Sequence, residues 1–78
     1  MPGVDDLVRS AVAEVLAEGG RALPPPGSPL QLDSLGVVAL VDLLETRLPL
    51  RLRPEDVTAQ SFRTLETLLQ TVRTRLGP

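Results

Sequence analysis

The 78-residue chain predicts an all-α fold, a small four-helix bundle of three main helices and one short one. Three observations carry that reading. Apolar residues recur at helical spacing in three separate stretches. The breaks between them are rich in Gly and Pro, which sustain neither a helix nor a central strand. A single short stretch alternates as a strand would, and no second candidate exists for it to pair with. The length supports one domain, 1–78, with one small core burying roughly 60–65% of the unfolded surface.

In the first stretch Val4, Leu7, Val8, Ala11, Val12, Val15 and Leu16 share a face, with Asp5, Asp6, Arg9, Ser10, Glu14 and Glu18 opposite. This amphipathic pattern predicts a first helix over about 3–18. Acids in the first turn suit the helix dipole, and Gly19-Gly20 ends the helix because glycine takes the left-handed C-terminal conformation without strain. From 19 to 32 follows a long, stiff loop containing Pro24-Pro25-Pro26-Gly27-Ser28-Pro29, with Leu23, Leu30 and Leu32 available to pin it to the core. Its composition fits a plain spacer and a functional loop equally.

The second helix is expected over about 33–48. Val37, Leu40, Val41, Leu44 and Leu48 form its core stripe, while Leu35, Val38, Asp42 and Glu45, with Ala39 alongside, form a second face that turns from apolar to acidic. A domain this small can hardly bury a helix on every side, so the second face is read as a surface for a partner. Leu50-Arg51-Leu52-Arg53, between Pro49 and Pro54, is the lone alternating stretch and reads as an extended linker. Pro54-Glu55-Asp56-Val57 puts Pro at a first helical position followed by acids, predicting a short third helix over about 54–59. The fourth, over about 62–76, carries Phe62, Leu65, Leu69, Val72 and Leu76 on one stripe with Leu68 beside it. Thr64 or Ser61 is its candidate cap, and Gly77-Pro78 its stop.

Composition then limits the chemistry. All eight cations are Arg, and the chain has no Lys, His, Cys, Trp or Tyr. Cys/His zinc sites, haem attachment, dithiol redox, imidazole acid/base work and Schiff-base chemistry therefore lack their residues, no metal site is assigned, and a serine or threonine hydroxyl without a base beside it is a poor nucleophile. No residue is assigned a catalytic role; the reactive group is expected to come from elsewhere. A net charge of −2 and the lack of aromatic platforms argue against nucleic-acid binding. No apolar run reaches the roughly 18–20 residues that span a bilayer, so a cytoplasmic monomer is expected.

Attention narrows to Leu32-Asp33-Ser34-Leu35. Asp33 suits an N-cap, and Ser34 then stands at the start of the second helix, exposed to solvent. A phosphate joined to its oxygen would lie near the unpaired N–H groups and positive dipole end of that helix. With the amphipathic first helix, the Pro/Gly loop, the Val37-Val38-Ala39-Leu40-Val41 run and the late Pro54-Glu55-Asp56-Val57 and Phe62-Arg63-Thr64-Leu65 segments, this motif resembles the acyl carrier proteins and related peptidyl carrier domains over nearly the whole chain.

The resemblance implies that Ser34 receives a covalent 4′-phosphopantetheine arm from coenzyme A, added by a separate phosphopantetheinyl transferase, with Asp33 and Leu35 flanking the attachment. The arm's thiol then carries an acyl or aminoacyl group as a thioester, which makes the chain a carrier and not an enzyme. It further implies a partner face of Leu35, Val38, Ala39, Asp42 and Glu45, met by the transferase, a loading enzyme and downstream synthase or tailoring enzymes. Fatty-acid carriers have a more acidic second helix. Here Ala39 and Thr46 occupy common acidic positions and Arg47 reverses the sign, so electrostatic steering is weaker and apolar contact counts for more. That points to a specialised polyketide or nonribosomal-peptide-like pathway. A free-standing carrier and a domain cut from a megasynthase would look similar, and Met1 and the compact ends favour the free-standing carrier. The alternative from another class is a helical interaction module that binds a partner through Leu35 and Val38 without a prosthetic group.

Overall fold

A computed structural model describes residues 3–77. It contains α1 (Val4–Glu18), α2 (Ser34–Arg47) and α3 (Leu65–Leu76), with one 3₁₀ turn at Pro54–Asp56 between the last two. Among the described residues there is no strand, only an isolated antiparallel bridge between Pro29 and Thr64. The fold is all-α.

The stripe of α1 goes inward as its spacing requires, with Val8, Ala11 and Val12 fully buried. Across from it lie Leu40 and Leu44 of α2 and Leu65, Leu68, Leu69 and Val72 of α3, and α1 packs against both helices. The radius of gyration, 11.3 Å, matches the roughly 11.5 Å of a compact chain of this length, so one core serves all three helices. The long loop belongs to that core: Leu30 is fully buried, and Leu23 and Leu32 pack partly buried against it. Backbone bonds from Leu30 N–H to the Arg63 carbonyl (2.7 Å) and from Glu66 N–H to the Pro26 carbonyl (3.2 Å) fasten the loop to the start of α3.

Two expected elements differ. The helix expected over 54–59 is a single 3₁₀ turn, because Asp56 bonds back to the N–H of Arg53 and Val57 leaves helical geometry at ψ 80°. The last helix begins at Leu65, not near 62. Thr64, extended at φ −132°, accepts from Thr67 N–H at 3.1 Å while Thr67 Oγ1 accepts from Thr64 N–H at 3.1 Å. This reciprocal cap starts the helix where it sits. Phe62 still reaches the core, but from the turn before α3.

Ion pairs join helix ends. Arg47 makes two hydrogen bonds to Glu14, holding that carboxyl below its ordinary range, and Arg73 meets Asp5. Asp56 is the more enclosed case, its side chain 11% exposed. Its oxygens accept from Arg53 N–H and from the Arg75 guanidinium, each at 2.8 Å. The Arg53 N–H first, and the Arg75 cation after it, hold its carboxyl below the usual range against the opposing pull of burial. A carboxyl with a depressed folded pKa stabilises above its unfolded value, about 3.9, and loses that contribution as pH falls through the lower folded value. Urea unfolding over an acid pH series should therefore show a shallower acid loss of stability in Asp56→Asn than in wild type; identical slopes would remove Asp56 from the account.

Candidate functional site

The segment ahead of α2 is set by the end of α1. Gly20 adopts φ 73°, which lets Gly20 N–H reach the Ala17 carbonyl and Arg21 N–H the Leu16 carbonyl, both at 2.9 Å. This is the paired closure that glycine permits at a helix end. It directs Arg21 back across the loop, where the guanidinium donates to the carbonyls of Leu30 (2.5 Å) and Gln31 (3.1 Å). Gln31 is a left-handed non-glycine residue, φ 54°, a conformation that costs an L-residue about 1–2 kcal/mol. The grip of Arg21 on its carbonyl, and the burial of Leu30 beside it, offset that cost and fix the backbone two residues before Asp33.

Asp33 caps α2. Its backbone is extended (φ −87°, ψ 179°), and Oδ1 accepts from Gly36 N–H at 2.7 Å. A Cβ at Gly36 would lie 3.1 Å from that oxygen and 3.4 Å from Leu32, so glycine leaves the cap room. Asp33→Ala removes the acceptor and should lower stability by about 0.5–2 kcal/mol, measurable by urea unfolding; a change below the error of the fit would mean the cap does not anchor the helix.

Ser34 is the first residue of α2 and is exposed, and its hydroxyl has no hydrogen-bond partner among the described residues. The neighbouring carboxylate of Asp33 is used as the cap. The hydroxyl is accessible, and no base is hydrogen-bonded to it among the described residues.

Two clefts flank the start of α2. The larger, about 560 Å³, runs between α2 and the 57–63 segment, with Ser34, Val37, Val38, Val57, Phe62 and Arg63 on its walls. The smaller, about 290 Å³, lies between the end of α1 and α2 and includes Arg21, Leu35, Gly36 and Ala39.

The expected partner face divides. Leu35 is 80% and Val38 67% exposed, and Asp42 is exposed beside them. Ala39 is half-buried in the smaller cleft. Glu45 turns away: its Oε2 accepts from Leu52 N–H at 2.8 Å and its Oε1 lies 3.8 Å from Arg51. Ten residues at about 100° each carry it roughly 80° from the direction of Leu35, far enough to tie down the linker instead. Two residues of the site were not singled out from sequence. Arg21 acts on backbone carbonyls nine and ten residues ahead, for which no local pattern exists. Arg63 reaches the larger cleft only through the loop's attachment to α3. No protein-family model, curated protein or solved structure matches the chain, and what the site does follows from its residues and their geometry.

Proposed function

We propose that this chain is an acyl or aminoacyl carrier with the four-helix carrier fold, its short helix reduced to the 3₁₀ turn. In this reading Ser34 bears a 4′-phosphopantetheine arm. The observation that supports it best is the exposed, unbonded Ser34 hydroxyl at the first position of α2, beside a cleft with apolar walls. The residues fit such a group. Ser34 Oγ is open to a transferase, Gly36 and the Asp33 cap hold the helix start rigid, and Val37, Val38 and Phe62 offer an apolar wall next to it.

On attachment, Ser34 Oγ forms the bond to phosphorus and the pyrophosphate bond of coenzyme A breaks. The adenosine bisphosphate half leaves, and the serine proton passes to a base on the transferase. What the arm supplies once bound is a thiol that holds acyl or aminoacyl cargo as a thioester. The chain's own part is to present the attachment point and offer Leu35, Val38 and Asp42 to the transferase, a loading enzyme and later synthase or tailoring enzymes. With Glu45 engaged by the linker and Arg47 by Glu14, Asp42 is the acid left on that face, so contact there is mainly apolar. A specialised polyketide or nonribosomal-peptide-like pathway in the cytoplasm is the setting this suits. No helix of the described residues is long and apolar enough to cross a membrane.

The intact mass of the chain purified from cells that make it tests the reading. A surplus equal to one arm, with or without cargo, supports it. A bare chain that also refuses the arm from coenzyme A and a transferase contradicts it. The exposure of Leu35 and Val38 favours one second reading, a helical interaction module without a prosthetic group, in which Ser34 is dispensable and Val38 is not.

A further inference from the structure

We infer that Arg63 is the counter-cation for the phosphate joined to Ser34, a positioning residue that fixes how the arm leaves the protein; this rests on the carrier reading. Arg63 and Ser34 line the same cleft, on walls contributed by the turn before α3 and by the start of α2. Of the residues lining that cleft, Arg63 is the one cation and Asp33 the one anion. Four other arginines, at 47, 51, 73 and 75, are paired with carboxylates. Arg21 is committed to two backbone carbonyls. Arg63 makes no ion pair among the described residues, and its side chain is exposed.

Its backbone, by contrast, is fixed. The Arg63 carbonyl accepts from Leu30 N–H at 2.7 Å, its N–H donates to Gln60 at 3.3 Å, and the next residue, Thr64, is buried and capped onto α3. A cation on a fixed stem thus faces a cleft whose only other charge is the Asp33 carboxylate, next in sequence to the modified serine. A phosphodiester on Ser34 would place a second anion beside Asp33, a like-charge arrangement that needs an opposite charge close by. The guanidinium, with its fork of donors matched to phosphate oxygens, supplies it. The far end of a flexible arm is not confined to this cleft. Its phosphate is tethered by one bond to a residue that lines the cleft, which is why the phosphate and not the cargo is assigned to Arg63.

The experiment uses nitrogen-15-labelled full chain before and after loading from coenzyme A, with intact mass reporting the loading separately. On complete loading of wild type, the Arg63 Nε–H resonance should shift and the Arg9 resonance, on the outer face of α1, should not. Molar salt should reverse most of that shift, since exposed ion contacts are screened. In loaded Arg63→Gln the phosphorus-31 resonance should move to the position of the free phosphodiester, and Arg63→Lys should restore part of the difference. A complete mass gain with an unmoved Arg63 resonance overturns the inference while leaving the carrier reading intact. No mass gain at all overturns both.

Discussion

Ser34→Ala is expected to abolish addition of the arm completely, with no residual mass gain under conditions that convert all of the wild-type chain. The fold should be indifferent. Ser34 is exposed at the first turn of α2 and its hydroxyl bonds to nothing among the described residues, while alanine is a good helix former. Its unfolding free energy should stay within about 0.5 kcal/mol of wild type. This separation of loading from stability distinguishes the two functional readings. For a carrier, Ser34→Ala removes function and Val38→Asp slows the partners. For an interaction module, Ser34→Ala is silent and Val38→Asp removes binding. Retained function in Ser34→Ala would turn the account toward the module.

The second large effect falls on stability, from a residue in a loop. Leu30→Ala should cost about 2–5 kcal/mol, the range of buried Leu→Ala substitutions. A chain of this length has only about 4–12 kcal/mol in total, so the urea midpoint should fall by about a sixth at the least. The reason is that Leu30 is fully buried, and its N–H is bonded to Arg63. Were the 19–32 stretch a plain spacer, the cost would stay within about 0.5 kcal/mol. Circular dichroism followed through a urea series decides between these values. Because the same bond carries Arg63 to the cleft, loss of Leu30 packing should also disorder the cleft wall facing Ser34.

The elements with a single clean period were legible from sequence. The stripe of α1 goes inward over the residues its spacing named, and Gly20 closes the helix with the positive φ that glycine suggested. On α2, Leu40 and Leu44 are buried while Leu35 and Val38 stand exposed, so its two-faced character was readable too. Where the pattern misled, a specific local bond had displaced it. Phe62 fits the stripe of the last helix, yet the Thr64–Thr67 cap starts that helix three residues later. Pro54 and the acids after it look like a helix start, yet Asp56 spends its oxygens on Arg53 N–H and Arg75. Glu45 shares a spacing with Leu35, yet rotates to the edge of the face and binds Leu52 N–H.

Of the site, the serine, its cap and the apolar face could be named from residue type and position. The left-handed backbone at Gln31, the staple from Arg21 and the placement of Arg63 could not. Each depends on contacts between residues nine or more apart, set by how the Pro-rich loop lies on the core. Proline restricts the loop's dihedrals without stating where it packs.

Ser34 is the proposed point at which another enzyme attaches a phosphopantetheine arm. Incubating the full chain with coenzyme A, Mg²⁺ and a phosphopantetheinyl transferase, then locating the added mass by peptide fragmentation, tests it most directly. The account expects one arm per chain, on the peptide Gln31–Leu35 and on Ser34 within it. An unmodified chain, under conditions that fully load a known carrier, or an arm on any other hydroxyl, would contradict it.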